Sequence, residues 1–294
     1  MEERRRVVAG SRGVVRFAEF LQRNRYQHLV SGGYGRADPI IVDCHCHAGK
    51  GDLLTAPWNT VARLEPYLRR ARTAGIQKTV VFPAFHTDYA EANEALARIV
   101  ARHRGRLIGF AFVHPMRDAG RIYQMVERAV KSWGFRGIKV RGFEAMPTRE
   151  VCDTARRLKL PILVDVGGKA HVIEMFAAEY PDVDFIIPHL GSFAGDWKTH
   201  QQVIDQMVRF PRVYGDTSSV RHFDYLVQAV KRAGARKVLF GSDGPWLHPG
   251  VELQKIKLVG LPPAEESMIL GGNILRLLGE RRKAEFGTAR AWPA

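Results

Sequence analysis

Cysteine is scarce: the 294 residues contain three, Cys44, Cys46 and Cys152. An odd number, two of them two positions apart, gives no disulfide framework, which excludes the small stapled secreted scaffolds and points to a reducing, cytoplasmic setting. Long apolar runs are also missing. No stretch approaches the roughly 20 residues needed to cross a bilayer, so no membrane partner is expected. The opening MEERRR lacks the apolar segment and small-residue cleavage site of a secretory signal. No Gly-x-Gly-x-x-Gly loop follows the first strand-like run, which argues against a nucleotide-binding open sheet. There is no short-period repeat and no low-complexity tract.

What is present is the composition of a globular protein, 46% hydrophobic and 26% charged. A core of this size supports a buried site without disulfides. The formal net charge is +15. Its basic residues are scattered, with no lysine- or arginine-rich block interleaved with aromatics. The charge therefore reads as a solvated arginine-rich surface, and nucleic acid is not expected as a partner.

Residues 1–38 stand apart. Arg4, Arg5 and Arg6 precede an amphipathic stretch around Val14, Val15, Phe17, Phe20 and Leu21, and a glycine-rich joint follows at Ser31–Gly35. This predicts an N-terminal helical extension and linker, packed on the main domain or on a second subunit. From residue 39 to 294 short aliphatic runs alternate with stretches of helical period. The runs are Ile40–His47, Thr79–Pro83, Leu107–Val113, Gly137–Val140, Ile162–Val166, Asp184–Pro188, Val213–Asp216 and Lys237–Gly241. Helical stretches follow at Arg63–Ala74, Ala90–Arg102, Gly120–Lys131, Arg149–Leu158, Ala170–Glu179, Trp197–Val208, His222–Ala233 and Pro263–Leu278. Eight strands alternating with eight helices predict parallel α/β winding. The count and length point to a (β/α)8 TIM-like barrel.

In such a barrel chemistry sits at the C-terminal strand ends, and every run delivers a titratable group there. Strand one ends Asp43-Cys44-His45-Cys46-His47, and strands two and three run into His86 and His114. Strand four carries Lys139 and Arg141, strand five Asp165, strand six His189, strand seven Asp216 and strand eight Asp243. Alternation along a strand puts Asp43, His45 and His47 on one face and both cysteines on the other. With the histidines inward, two imidazoles reach one ion, and the cysteines turn outward toward the helices. A Cys/His zinc knuckle needs a second ligand pair, and Cys152 is alone and distant. His86 and His114 read equally as satisfied rim histidines or as groups near substrate. His189, followed by Leu190-Gly191, has room for a ligand. Asp216 reads as a helix cap or a partner for a neighbouring strand end.

Taken together, Asp43-x-His45-x-His47, Gly137-Ile138-Lys139-Val140, Pro188-His189-Leu190-Gly191, Gly241-Ser242-Asp243 and the closing Gly271–Leu278 resemble the amidohydrolase superfamily. The likeness is to its amidohydrolase-related branch of metal-dependent hydrolases and decarboxylases, and it spans residues 40–278. The resemblance implies one divalent metal ion, zinc first and manganese as the alternative. His45, His47 and Asp243 would hold it. Asp243 would also move the proton of the attacking water, and His189 would ligate or polarise. One departure stands out: many relatives end strand five with His, whereas this chain has Asp165. Asp165 is then expected as a ligand, so that His45, His47, Asp165 and Asp243 hold the ion. The alternative is that Asp165 stands behind the ligands while His189 completes the set. Lys139 has three readings: a carboxylated bridge between two metals, an anchor for a substrate carboxylate, or a partner of Asp165. The branch favours one metal and an unmodified lysine.

The expected activity is metal-assisted hydrolysis of an amide, ester or lactone in a small anionic substrate. Lys139, Arg141, His86, Trp246 and His248 are the expected substrate contacts, the last on a loop over the site. The alternative is non-oxidative decarboxylation of a small carboxylic acid. A nuclease fits less well, because barrel nucleases with the same His-x-His start carry a glutamate near strand four. A barrel that binds without catalysis is the reading that Asp165 motivates. Members of the superfamily self-associate, so a homo-oligomer is a further expectation, with residues 1–38 as a candidate arm.

Overall fold

The structure is a computed structural model that describes residues 39–52, 61–193 and 195–279. The helical extension expected over residues 1–38 lies outside the described residues. No described helix is long and apolar enough to cross a membrane.

The parallel ladder runs in chain order. β1 (Val42–Lys50), flanked at its end by the short antiparallel β2 (Val61–Ala62), pairs with β3 (Lys78–Pro83). β3 pairs with β4 (Leu107–Gly109), and after Phe110 the same run resumes as β5 (Ala111–Phe112), which pairs with β6 (Ile138–Arg141). β7 (Ile162–Asp165), β8 (Phe185–Ile187), β9 (Val213–Asp216) and β10 (Val238–Leu239) follow, each beside its predecessor. The seam between the last run and the first is closed by backbone bonds: Cys44 N donates to Phe240 O at 2.9 Å and His47 N to Gly244 O at 2.6 Å. A parallel bridge between Cys46 and Gly244 lies in the same seam. The parallel α/β winding expected from the sequence is what the described residues form, and these bonds carry it from the last run to the first.

Inward positions follow the register. Phe112 faces Lys139, Lys139 faces Leu163, Leu163 faces Ile186, and Ile186 faces Tyr214 across the ladder. With Val80, Phe82, Phe110 and Leu239 they fill the interior. The alternate residues, such as Val81, Ile138, Val164 and Phe185, meet the helices. Helix α1 (Leu64–Thr73) buries Leu64, Tyr67, Leu68 and Ala71 at helical spacing. Helix α2 (Tyr89–Arg102) starts where the Asp88 carboxylate accepts from Ala90 N at 2.8 Å and Glu91 N at 3.3 Å.

Two expectations need correction. The first concerns strand one. Its register shifts between Asp43 and Cys46, so Cys44 and His45 together oppose Val80, which is a β-bulge. On the near side of the bulge the faces are the reverse of those expected. Cys44 lies in the interior with Val42 and Phe82, while Asp43 reaches the Tyr67 hydroxyl of α1. His45 and His47 do share the inward side, and Cys46 does pack outward against the helix layer. The second concerns the chain after strand eight. A helix at Pro249–Leu258 precedes the expected one, and Pro263–Leu278 is broken into Pro263–Ser267, a π-turn at Met268–Gly272 and Asn273–Leu277. The break falls on Gly271-Gly272, and a Cβ on Gly271 would stand 2.2 Å from Ile40 O. Glycine there is what allows the segment to approach the start of strand one.

Close approach of this kind gives a stability test on the barrel wall. A Cβ on Gly109 would lie 2.4 Å from the Phe135 ring, which is fully buried and has nowhere to move. Gly109→Ala is expected to cost about 1–3 kcal/mol of overpacking, read as a lower denaturation midpoint with unchanged slope.

Candidate active site

Four buried side chains meet at the C-terminal rim: His45 and His47 from β1, His189 after β8 and Asp243 after β10. His45 Nε2 lies 3.4 Å and His47 Nε2 3.8 Å from Asp243 Oδ1. The donor atoms of His45, His189 and Asp243 lie within 4.8 Å of one another.

Each imidazole is oriented from behind. His45 Nδ1 donates to Asp216 Oδ2 at 2.8 Å, His47 Nδ1 to Pro83 O at 3.0 Å, and His189 Nδ1 to Ser218 O at 3.0 Å. A nitrogen bonded to a carbonyl or carboxylate carries the proton, which leaves each Nε2 as an acceptor. Burial pushes His45 down to about 4, although Asp216 pulls the other way, and it holds His47 well below the usual histidine range. The same burial raises Asp243 well above an ordinary carboxylate, against the opposing charge of Lys139. Neutral imidazole nitrogens and one carboxyl oxygen thus face one another. That donor set fits a divalent cation.

The backbone is bent to achieve this. Among the described residues five non-glycine positions have left-handed φ, and four of them are His189, Leu190, Ser219 and Asp243. Such conformations persist where surrounding bonds impose them. His189 N donates to Asp216 Oδ1 at 3.1 Å and Ser219 N to Glu252 Oε2 at 2.9 Å. Asp216 is the hub: it takes His45, His189 and Ser218, and although its burial opposes ionisation, the two histidines hold it well below the usual carboxylate range.

The other expected residues are placed as follows. Lys139 is buried in the interior with Nζ 4.7 Å from the Phe82 ring centre, and burial lowers it despite Asp165, Asp216 and Asp243 nearby. Asp165 faces Arg141 across the ladder, and its Oδ1 accepts from Gly167 N at 3.0 Å. It lies outside the clustered donors. Arg141 stacks 4.0 Å over Phe85 and pairs with Glu144 Oε1 at 3.1 Å. Trp246 stacks on Phe85 at 5.5 Å and lies 4.3 Å from the His47 ring. His86 accepts from Asp88 N at 2.9 Å at the start of α2. His248 is exposed and caps the helix Pro249–Leu258, accepting from Gly250 N at 3.2 Å. The structure therefore gathers His45, His47, His189 and Asp243, with Lys139, Arg141 and Trp246 around them, while His86 and His248 are engaged in local turns. Asp216, Ser218 and Glu144 were not expected as site residues. The polar run Asp216-Thr217-Ser218-Ser219 behind a strand was the available signal for the first two.

Parallel β/α winding with a buried His/Asp donor set beyond its strand ends is the arrangement of a metal-site enzyme. The chain belongs to the amidohydrolase family, which it matches over residues 42–279. It resembles the 5-carboxyvanillate decarboxylase of Sphingomonas paucimobilis at 13% identity and TM-score 0.66, covering 82% of this chain and 99% of that one. It resembles a probable 2-pyrone-4,6-dicarboxylic acid hydrolase of Acinetobacter baumannii at 16% identity and TM-score 0.65, over 81% and 99% of the two chains. A third similar structure is a dihydroxybenzoic acid decarboxylase from Polaromonas sp. JS666 with bound manganese, at 17% identity and TM-score 0.61, over 82% and 97%. No curated protein sequence matches the chain.

The hub position of Asp216 is open to test. Asp216→Ala is expected to weaken divalent-metal affinity by ~10–100-fold, the usual effect of losing the carboxylate behind a ligand histidine. Competition with a chromophoric chelator measures it, and an affinity equal to wild type would remove Asp216 from this role.

Proposed function

We propose that this protein is a metal-dependent hydrolase acting on an amide, ester or lactone bond of a small planar anion. The observation that carries this is the buried face-to-face arrangement of His45, His47 and His189 with Asp243. His45, His47 and Asp243 would hold one divalent ion, with His189 as the fourth donor and Asp165 serving Lys139. Zinc and manganese both suit imidazole and carboxylate ligands. When bound, the ion supplies Lewis acidity, lowering the pKa of a water and polarising the scissile carbonyl.

The chain's own groups do the rest. Asp243, raised by burial, accepts the proton of the attacking water and returns it to the leaving group. Lys139 holds negative charge deep in the barrel. Arg141 lies one strand repeat further on the same face, about 7 Å along the strand, and offers a second anchor at the mouth. Two cations at that spacing suit two acidic groups carried on one ring. Phe85 and Trp246 form a flat apolar wall beside them.

That wall also favours a second reading, decarboxylation of a carboxylated aromatic ring on the same donors, in keeping with the decarboxylases among similar structures. The substrate would bind in the same way, and Asp243 would deliver a proton to the ring carbon as carbon dioxide leaves.

Purified protein is expected to contain about one divalent ion per chain, absent from His45→Ala/His47→Ala, by elemental analysis. Carboxylated lactones and carboxylated phenols then separate the readings by ring opening or by release of carbon dioxide. Asp243→Asn is expected to lower kcat by ~10²–10⁴ while the fold is kept. Full turnover in that variant, or no metal uptake by wild type, would overturn the proposal.

A further inference from the structure

Strand one carries one more buried acid, and it is not among the clustered donors. Asp43 is fully buried, and both its oxygens are already taken. Oδ1 accepts from His45 N at 3.0 Å and from Ser242 N at 2.9 Å. Oδ2 accepts from the Tyr67 hydroxyl at 2.7 Å and from the Ser242 hydroxyl. A carboxylate out of water survives only when donors replace its solvation, and here four do. None of its capacity is left for a ligand role, and its side chain points to the helix layer rather than to the rim.

The four donors share one location. They lie at the seam where the last strand meets the first, and the backbone bonds of that seam are sparse. Cys44 N reaches Phe240 O and His47 N reaches Gly244 O. Between these two bonds the bulge leaves His45 N off the ladder, and Ser242 N is likewise turned to a side chain. One oxygen of Asp43 takes both amides. His45 is a candidate ligand itself, and Ser242 directly precedes another, Asp243, which sits at a left-handed φ of 57°. The Asp43 carboxylate is thus a tie between the backbone that aims one donor and the backbone that aims the other.

We propose that Asp43 is a positioning residue: by accepting both His45 N and Ser242 N it locks the bulge and sets His45 and Asp243 as a pair spaced for one cation. The proposal rests on the metal-site reading above. It assigns the two halves of the carboxylate different work. Oδ1 fixes the donor geometry, and Oδ2 ties the seam to α1 through Tyr67, which also bonds Thr79 at 3.0 Å.

The test uses the full chain freed of metal and titrated with Co²⁺, whose visible absorption reports ligand geometry without any substrate. Asp43→Ala removes both oxygens. It is expected to weaken Co²⁺ binding at least ~10-fold and to alter the spectrum. Asp43→Asn keeps one oxygen for the two amides and is expected to restore the wild-type spectrum, with affinity within about threefold. Tyr67→Phe removes only the helix-side bond. It is expected to lower Tm and leave the spectrum unchanged, which separates positioning from general stability. Should Asp43→Ala fail to fold, Asp43→Ser, whose hydroxyl falls short of the amides, carries the same expectation. A wild-type spectrum and affinity in the folded Ala or Ser variant would overturn this proposal alone. Absence of Co²⁺ uptake by the wild-type chain would overturn the metal-site reading and this proposal with it.

Discussion

Three imidazole acceptors and one carboxylate are held together out of water, and this unfavourable meeting is the constraint on which the upper half of the barrel depends. Burial alone would strip each group of its charge: His45 and His47 are pushed down, and Asp243 is pushed up. In a medium of low dielectric the Asp243 carboxyl keeps its charge only where positive charge lies near it. Among the described residues Lys139 is the one buried lysine or arginine, and it is already surrounded by Asp165, Asp216 and Asp243. A cation placed among the donors would offset the burial that now opposes ionisation of Asp243.

Meeting that demand costs backbone freedom. Left-handed conformations at ordinary residues cost roughly 1–3 kcal/mol each, and His189, Leu190, Ser219 and Asp243 all adopt them. The bonds that hold them run behind the donors. Asp216 bonds the His45 ring and the His189 amide at once, so one carboxylate fixes two histidines from strands far apart in sequence. Glu252 takes Ser219 N and is itself paired with Lys255 at 2.6 Å. A helix after the last barrel strand thus supports a loop after the seventh. The fixed rings, the bent backbone and the polar layer beneath them act as one unit.

Much of this was legible in the chain. Hydrophobic period and turn residues located the strands and most of the helices, because those signals are local. The donors were legible because each stands late in a strand-like run or just after one, where side chains reach the rim. What the chain concealed depended on distance or on a single extra residue. The bulge at Cys44 and His45 exchanges the faces of Asp43 and Cys44, and a strict period of two has no means of registering it. Asp216 reads as a helix cap or a partner for a neighbouring strand end, and which partner it takes is fixed only when His45, 171 residues away, is brought to it. The helix Pro249–Leu258 was readable from His248 as cap and Pro249 at the first turn, and those same two residues account for the local engagement of His248.

The mouth of the barrel imposes a different kind of order. Arg141 carries a guanidinium between the Phe85 and Phe143 rings, 4.0 Å and 5.6 Å from their centres. Glu144 holds it from one side and reaches Arg117 at 3.4 Å. A guanidinium stacked and paired in this way loses little freedom when an anion arrives, because its direction is already set. One carboxylate shared between two arginines also leaves positive charge at the entrance. Deeper in, Lys139 lies over the Phe82 ring, and nearer the mouth Phe85 and Trp246 stack on one another. Because Lys139 and Arg141 lie two positions apart on one strand, they share one face, and the same element sets both cations against the aromatic rings.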